Sequence, residues 1–217
     1  MNSKTAYEMV AHIGVMAGMR GDFTEKTALE VTAILMEEGI NVFEMTMNSP
    51  DPIEVMQAVK RTYGDDACVG MGTVLDVESA KRVLDAGADF VVSPAFQPDV
   101  VQVVLDAGVL MGPGVTTPTE AVAAWNMGVP LLKLFPIGAL GLDYFTSIFG
   151  PLNHMKFMIN GAMNAENAHD FLKAGAVACG MAGWLTGNGH MPHDALRQRA
   201  RQLQFAIERA RGVPRTV

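Results

Sequence analysis

Short apolar runs alternate with segments of helical periodicity along most of the chain. Eight of these runs predict β-strands, and they begin near His12, Asn41, Ala67, Asp89, Gly108, Pro130, Met155 and Ala176. Strands that alternate with helices pair in parallel, and eight of them close into a (β/α)8 TIM barrel. An open doubly wound sheet is the structural alternative, although no Gly-x-Gly-x-x-Gly turn follows the first strand to indicate dinucleotide binding.

The predicted helices have recognisable beginnings and ends. Thr24, Asp76 and Thr117 each precede a helical segment and provide a side chain suited to an N-cap. Glycines expected at helix C-termini follow these segments directly before the next strand: Gly39, Gly87, Gly108, Gly128 and Gly175. We therefore predict one α/β barrel domain over residues 1–217, with a C-terminal packing helix over about 193–211.

Composition agrees with a compact globular protein. Of the 217 residues, 49% are hydrophobic and 18% are charged, and the net charge is −7. The acidic balance argues against nucleic acid or an anionic membrane as a partner. Because the chain start lacks the layout of a secretory signal and no apolar stretch is long enough to span a bilayer, a cytoplasmic location is expected. The two cysteines are expected to be buried free thiols.

Lys133 is the first candidate for chemistry, because it interrupts an apolar strand bounded by Pro130 and Pro136. Strand alternation places Leu131, Lys133 and Phe135 on one face. A buried amine loses hydration, which favours its neutral, nucleophilic form. Such a lysine can attack a ketone and form a Schiff base, which accepts electrons during bond cleavage. The alternative is an ordinary strand lysine whose ammonium group reaches solvent.

Glu44 is the second candidate. Along its strand Phe43 and Met45 alternate with Glu44 and Thr46, and the bulky apolar pair suits the interface between barrel and helices. Glu44 is therefore expected to point into the barrel, as Lys133 is. The two groups can form a structural ion pair, or the carboxylate can carry the protons that a Schiff-base cycle exchanges near neutral pH.

The histidines do not indicate a metal site. The five histidines are scattered, and the pair His190 and His193 lies in a polar stretch beyond the last predicted strand. A catalytic metal needs inward carboxylates or histidines at strand ends, and Glu44 alone meets that condition. We expect neither a metal nor another cofactor.

Several motifs, taken in order along the chain, resemble one enzyme family. They are Met19-Arg20-Gly21, Phe43-Glu44-Met-Thr-Met-Asn-Ser-Pro50, Gly70-Met-Gly-Thr73-Val-Leu75, Ser93-Pro94, Lys133-Leu-Phe-Pro136 with Gly141 following, and Gly183-Trp184-Leu185. A single piece such as Gly-Thr-Val-Leu is weak, but the order and spacing together are specific. With these motifs the chain resembles the class I aldolases that cleave 2-keto-3-deoxy-6-phosphogluconate, together with their galactonate and 4-hydroxy-2-oxoglutarate relatives.

The resemblance implies a metal-independent lyase reaction. Lys133 would attack the C2 ketone of a 2-keto-3-deoxy or 4-hydroxy-2-oxo acid and accept the electrons released when the C3–C4 bond breaks. Glu44 would be the general acid and base, and the products would be pyruvate and an aldehyde. Two alternatives stay open on the same barrel: a phosphosugar isomerase or epimerase without a covalent lysine, and a keto-acid-binding relative without turnover.

Four further residues receive roles from the resemblance. Arg20 and Thr73 would help bind the carboxylate at the pyruvate end, although a surface cation and a turn hydroxyl are the respective alternatives. Pro94 and Phe135 would shape the pocket, or serve only as loop and core residues. The resemblance also implies a homotrimer.

Departures from the family pattern bear on the substrate. Asn48 stands where the gluconate branch has an arginine, as in the galactonate branch. Asn160 replaces a threonine or valine, and Gly161-Ala162 replaces paired glycines. Ala182-Gly183 replaces a glycine-serine pair in the phosphate loop and loses a hydroxyl donor, whose hydrogen bond to a charged group contributes roughly 1.5–3 kcal/mol.

We therefore expect Asn160, Gly161, Ala162 and Gly183 to line the substrate site. The amide of Asn160 can both donate and accept, so it would contact the C4 oxygen or the distal group of the substrate. Backbone N–H groups at a helix start can still hold a phosphate. Phosphorylation of the distal end of the substrate therefore stays open.

Overall fold

A ring of parallel strands forms the centre of the fold. The computed structural model describes residues 1–212, and nine strands lie within that range. They are β1 (Val15–Met19), β2 (Val42–Thr46), β3 (Cys68–Gly72), β4 (Phe90–Val92), β5 (Leu110–Gly112), β6 (Gly114–Val115), β7 (Leu132–Leu134), β8 (Phe157–Asn160) and β9 (Ala178–Met181). All pair in parallel, in the order β5-β4-β3-β2-β1-β9-β8-β7-β6.

The fifth predicted strand is present as two segments, β5 and β6, with Pro113 between them. β5 pairs with β4 and β6 pairs with β7, so the covalent chain bridges the two ends of the sheet. Proline has no N–H to donate to a strand neighbour. Its carbonyl oxygen still accepts a hydrogen bond from the N–H of Lys133 at 2.9 Å. The nearly closed ring confirms the predicted (β/α)8 barrel.

Helices connect the strands and cover the outside of the barrel. They are α1 (Ser3–Ile13), α2 (Glu25–Glu37), α3 (Pro52–Tyr63), α4 (Val77–Asp85), α5 (Pro98–Asp106), α6 (Pro118–Asn126), α7 (Ile137–Phe149), α8 (Ala165–Lys173), α9 (Gly183–Thr186) and α10 (His193–Arg211). The predicted N-caps are confirmed, because the side chains of Thr24, Asp76 and Thr117 each accept a hydrogen bond from a backbone N–H in the first helical turn.

The first predicted strand begins too early. His12 belongs to α1, which ends at Ile13 and is capped by Gly14, whose φ of 79° lies in the left-handed region. α1 packs its apolar face against β1, β2, β3, β5 and β9. Because these strands lie around the ring and α1 leads directly into β1, the helix closes the N-terminal end of the barrel.

The C-terminal helix α10 packs on α8 and α2. Its residues Arg197 and Arg201 form ion pairs with Glu38 at 3.0 and 2.9 Å. Residues 213–217, which the predicted domain also includes, lie outside the described residues. Within residues 1–212, no helix combines the length and the apolar character needed to cross a membrane.

Glycines on the inner wall of the barrel make room for larger neighbours. A Cβ at Gly70 would collide with Phe90 on the adjacent strand, and a Cβ at Gly112 would lie 2.9 Å from Val92. Small barrels fill their interior by placing small residues beside large ones in this way. The interior is therefore a packed core up to the C-terminal strand ends.

Candidate active site

A cavity of about 420 Å³ opens at the C-terminal ends of the strands. The residues that line it are Gly18, Arg20, Glu44, Thr46, Lys133, Phe135, Asn160, Gly161, Ala162, Met163, Asn164, Gly180, Met181, Ala182, Gly183 and Trp184. Active sites of (β/α)8 barrels lie at this end of the fold. Because polar side chains converge here above an apolar core, this cavity is the candidate active site.

Lys133 lies at the middle of β7, with its side chain only 5% exposed. Its backbone is fixed on both sides, in register with Gly114 on β6 and Met158 on β8. The Nζ atom is 3.9 Å from Oε1 of Glu44 and 5.7 Å from the centroid of the Phe135 ring. The structure thus places the amine inside the barrel, as strand alternation predicts.

Glu44 lies on β2 and is also 5% exposed. Its 3.9 Å separation from Lys133 is too long for a direct hydrogen bond. Oε1 is buried and has no hydrogen-bond partner among the described residues. A Cβ at Gly72 on the neighbouring strand would collide with this carboxylate. The glycine therefore provides the space that the carboxylate occupies.

Asn160 at the end of β8 repeats this arrangement. Its side chain is buried, with the residue 6% exposed, and Oδ1 has no hydrogen-bond partner among the described residues. Asn160 is in register with Gly180 on β9, and a Cβ at that glycine would collide with the amide. A second unpaired polar group therefore lines the cavity.

The structure brings together eight of the ten predicted site residues around this cavity: Arg20, Glu44, Lys133, Phe135, Asn160, Gly161, Ala162 and Gly183. Arg20 is exposed at the rim. The next N–H, that of Gly21, donates to the hydroxyl of Ser49 at 3.1 Å, and Ser49 in turn bonds the hydroxyl of Thr46 at 3.0 Å. These contacts fix the backbone of the loop that carries Arg20.

Two predicted residues, Thr73 and Pro94, are outside this lining. Thr73 follows Gly72 and has a φ of 61°, an unusual backbone conformation for a β-branched residue. Pro94 packs its backbone against Gly114, where a Cβ would collide with it. Their roles in substrate binding stay predictions.

Comparison with known proteins identifies the family. A sequence profile described as "Aldolase: KDPG and KHG aldolase" matches residues 9–200. The chain belongs to this family.

Individual relatives and solved structures are similar to this chain over most of its length. The probable 2-dehydro-3-deoxy-6-phosphogalactonate aldolase of Rhizobium meliloti is 31% identical over 189 residues, which cover 87% of each chain. A solved structure described as native KDPGal has a TM-score of 0.86 at 27% identity and covers 92% of this chain and 96% of its own. A cube-shaped protein cage designed by fusing symmetric oligomeric domains matches at a TM-score of 0.85 and 26% identity, covering 92% of this chain and 74% of its own.

Sequence reasoning about this aldolase-family member missed other lining residues, including Gly18, Thr46 and Trp184. Thr46 shares the inward face of β2 with Glu44, so strand alternation could have found it. Trp184 stands within a recognised motif, and its ring stacks on the guanidinium of Arg199, 5.5 Å from the ring centroid. Gly18 carries no side chain, and its place in the cavity lining follows only from its register with Glu44 on the neighbouring strand.

A hydrogen-bond network supports the β7 end of the aldolase-family site from outside the cavity. The hydroxyl of Thr116 donates to the carbonyl oxygen of Phe135 at 2.6 Å, and the Tyr144 hydroxyl donates to the Thr116 carbonyl oxygen at 2.7 Å. The Glu120 carboxylate accepts from the N–H groups of Thr116 and Thr117, both at 2.8 Å. These hydrogen bonds hold the pKa of Glu120 below its ordinary value.

The residues described for this family member do not assemble into a metal centre: no group of three or more His, Cys, Asp or Glu side chains among them could hold an ion. His190 and His193 contact different carboxylates, those of Asp22 at 3.2 Å and Glu30 at 3.7 Å. The spacing of these two histidines therefore reflects separate surface contacts.

Proposed function

We propose that the protein is a metal-independent class I aldolase that cleaves a 2-keto-3-deoxy or 4-hydroxy-2-oxo acid to pyruvate and an aldehyde. The observation that carries this proposal is the pair at the cavity floor. There the buried amine of Lys133 lies 3.9 Å from a carboxylate oxygen of Glu44 that has no hydrogen-bond partner among the described residues. Membership of the aldolase family supports the proposal.

Lys133 provides the electron sink in this reaction. Its neutral amine attacks the C2 carbonyl of the substrate, and the resulting carbinolamine loses water to give a cationic imine. Glu44 is close enough to take the proton that the amine releases, because the 3.9 Å gap accommodates a bridging water or a substrate oxygen. The imine then withdraws electrons from the C3–C4 bond.

Glu44 carries the protons of the cleavage step. Its carboxylate takes the proton of the C4 hydroxyl, and the C3–C4 bond breaks. The electron pair of that bond passes into the imine and forms an enamine. The aldehyde leaves. Glu44 then returns the proton to C3, and water hydrolyses the imine to release pyruvate and free Lys133. Such positioned proton transfer contributes typically 10²–10⁴-fold to a rate.

The remaining cavity residues are proposed to bind substrate. Arg20 is the permanent cation at the rim and suits the carboxylate at the pyruvate end, which a guanidinium can bind through two parallel hydrogen bonds. Phe135 packs beside Lys133. Gly161, Ala162 and Gly183 provide backbone around the far end of the substrate.

Borohydride reduction in the presence of pyruvate tests the covalent step. The expected result is a mass increase of one reduced pyruvate adduct on the peptide that contains Lys133, and no adduct in Lys133→Met. Lys156→Met is a matched control, because Lys156 is exposed near the N-terminal end of the next strand. A protein without an adduct contradicts the Schiff-base mechanism and favours an isomerase or epimerase.

A coupled pyruvate-release assay on 2-keto-3-deoxy and 4-hydroxy-2-oxo acids tests turnover. Release by the wild type, with Lys133→Met as the blank, is the expected result. A protein that traps pyruvate but releases none from any of these acids is a binding relative, and that result refutes the proposed activity.

We also propose that the protein assembles as a homotrimer. The family resemblance implies this state, and the match to a cage built from symmetric oligomeric domains supports oligomer formation by this type of barrel. Light scattering coupled to size-exclusion chromatography is expected to give three times the chain mass. A mass of one or two chains at micromolar concentration refutes the trimer.

A further inference from the structure

A second cavity, here called the outer cavity, lies in the groove between α8 and α10. Its volume is about 580 Å³, and its apolar lining includes Ala165 on α8 and Phe205 and Ala206 on α10. Two further residues of its lining, Asn164 and Trp184, also line the active-site cavity. These two residues therefore form a wall between the active-site cavity and the outer cavity.

Asn164 is held in this wall by the start of α8. Its side-chain oxygen accepts hydrogen bonds from the N–H groups of Glu166 and Asn167 at 2.9 and 3.0 Å. In return, the N–H of Asn164 donates to the side-chain oxygen of Asn167 at 2.8 Å. This capping box pairs the backbone N–H groups reciprocally and fixes the residue at the helix start. The Asn164 side of the wall is therefore tied to a whole helix.

The backbone around Trp184 is fixed by contacts with the barrel. Thr186, two residues further along α9, is buried, and its hydroxyl donates to the carbonyl oxygen of Gly18 on β1 at 2.7 Å. The N–H groups of Leu185 and Thr186 both donate to the carbonyl oxygen of Ala182 at 2.8 Å. These hydrogen bonds hold the α9 turn, and the indole of Trp184 takes part in none of them.

Arg199 on α10 contacts the Trp184 indole directly. Its guanidinium lies over the ring, 5.5 Å from the centroid, and donates a hydrogen bond to the carbonyl oxygen of Trp184. A cation over a π-face is attracted by the ring, and tryptophan gives the strongest attraction of this kind. A single residue of the C-terminal helix therefore contacts both the ring and the backbone of Trp184.

From these observations, and resting on the aldolase function proposed above, we infer that Trp184 determines specificity by limiting the length of the aldehyde half of the substrate. Arg199 is the positioning residue that keeps the indole in the wall. The far end of the substrate is proposed to lie along Ala162 and Gly183, which directly adjoin the wall in sequence and in the cavity lining. A long apolar tail on the aldehyde would therefore meet the indole before it could enter the outer cavity.

Aldol addition of pyruvate to propanal and to hexanal tests this inference, because the two aldehydes differ only in the length of an apolar tail. Wild-type protein is expected to prefer propanal at least about tenfold in kcat/KM. Trp184→Ala removes the indole, so the tail of hexanal can reach the apolar space beside Phe205 and Ala206. Each buried CH2 group contributes about fourfold to binding, so the ratio is expected to move toward hexanal by at least about tenfold.

Arg199→Met tests the positioning role without changing Trp184. Methionine keeps an unbranched side chain but has no guanidinium, so the ratio is expected to move toward hexanal as it does in Trp184→Ala. Arg209→Met is the matched control, because Arg209 lies on the same helix and stacks on Phe205 at 5.8 Å. Phe205 is outside the described lining of the active-site cavity, so the control is expected to keep the wild-type ratio. An equal shift in both arginine variants refutes the role of Arg199.

Tryptophan fluorescence distinguishes positioning of the indole from a general loss of stability. The chain has two tryptophans, so Trp125→Phe leaves Trp184 as the one fluorophore of this type. In this background Arg199→Met is expected to raise the acrylamide quenching constant of Trp184 at least about twofold, because the ring has lost its stacked cation. Where Arg199→Met does not fold, Arg199→Lys, which loses the planar group, is expected to shift both measurements in the same direction. Unchanged quenching overturns the positioning role.

The inference and the aldolase function fail differently. Exchange of the pyruvate methyl protons in D2O, followed by NMR, reports the Lys133 and Glu44 chemistry without any aldehyde. Absence of exchange in the wild type refutes the aldolase function itself. Exchange with equal use of propanal and hexanal by the wild type, or with an unchanged ratio in folded Trp184→Ala, overturns the length limit and leaves the aldolase function intact.

Discussion

The carboxylate of Glu44 occupies the space that a side chain at Gly72 would fill. Gly72 ends β3, directly beside β2, and a Cβ there would collide with Oε1, the carboxylate oxygen that faces Lys133. The position of the proposed acid and base therefore depends on the absence of a methyl group from the neighbouring strand.

Gly72→Ala is expected to reduce turnover while the barrel stays folded. The colliding atoms belong to the far end of a flexible side chain, so Glu44 moves and the strands keep their places. Displacement of a positioned acid and base costs about 10²- to 10⁴-fold in rate, and steady-state pyruvate release measures it. Gly150→Ala is the control, because its Cβ would lie 3.4 Å from its nearest neighbour at an ordinary helical φ of −48°. Full turnover by Gly72→Ala contradicts this dependence.

Ala162→Gly is expected to stabilise the protein, although glycine is normally the less favourable residue. Ala162 is exposed and has a φ of 52°, a left-handed conformation that costs an L-residue roughly 1–2 kcal/mol. Glycine removes this cost, but part of the gain is offset by the greater conformational freedom of glycine in the unfolded chain. A net gain of about 0.5–1 kcal/mol in the free energy of unfolding follows, measured by urea denaturation.

The matched control is Ala107→Gly, at an exposed helix end with a φ of −76°. Here the native conformation suits alanine, so the same substitution is expected to destabilise by about 0.4–1 kcal/mol. Substitutions that change stability in the same direction at both positions refute the assignment of strain to Ala162.

Glu120→Gln is expected to lower stability in a pH-dependent way. Hydrogen bonds from the N–H groups of Thr116 and Thr117 lower the pKa of Glu120 in the folded state, so the unfolded state binds the proton more tightly. The stabilisation is therefore complete above the unfolded pKa and disappears as the pH falls through the lower folded pKa. Glutamine keeps the acceptor oxygen but not the charge, and hydrogen bonds to a charged acceptor are the stronger ones, so the substitution costs about 1 kcal/mol at pH 7.

Urea unfolding of Glu120→Gln and wild type at several pH values checks this prediction. The difference in unfolding free energy is expected to shrink as the pH falls below the ordinary pKa of 4.5. Glu8→Gln is the control, because Glu8 is exposed and its 3.9 Å pair with Lys4 contributes little. A pH-independent difference for Glu120→Gln argues against an ionic contribution.

Both cysteines are expected to resist thiol reagents in the native protein. Burial raises the pKa of Cys68 and of Cys179 to about 12, so at pH 8 only about one thiol in ten thousand is the reactive thiolate. Reaction with a chromogenic disulfide is expected to give no rapid labelling until denaturant is added, and then two thiols per chain. Fast labelling of either residue in native protein contradicts the described burial.

Local pattern was sufficient to predict the elements that face the site. The alternation around Glu44 and Lys133 placed both side chains inside the barrel, and the caps at Thr24 and Thr117 marked real helix starts. These predictions succeed because a strand has a two-residue period and a cap bonds within one turn, so both depend on near neighbours in sequence.

Features that depend on distant neighbours could not be predicted in the same way. His12 precedes an apolar run, and short apolar runs do not distinguish a helix end from a strand start. At Pro113 the chain changes from pairing with β4 to pairing with β7, and these two strands are far apart in the sequence. The direction of the Thr73 side chain depends on its backbone φ of 61°, which no sequence pattern predicts for a β-branched residue.

The pairing of β1 with β9 has a consequence for the synthesis of the protein. Val15 on β1 aligns with Cys179 on β9. During synthesis β1 therefore cannot pair with β9 until most of the chain has left the ribosome. Until then β1 is an edge strand with unsatisfied backbone groups, and such edges recruit other chains. Ring closure is therefore a late event, and a chain truncated before Ala178 forms an open sheet prone to aggregation.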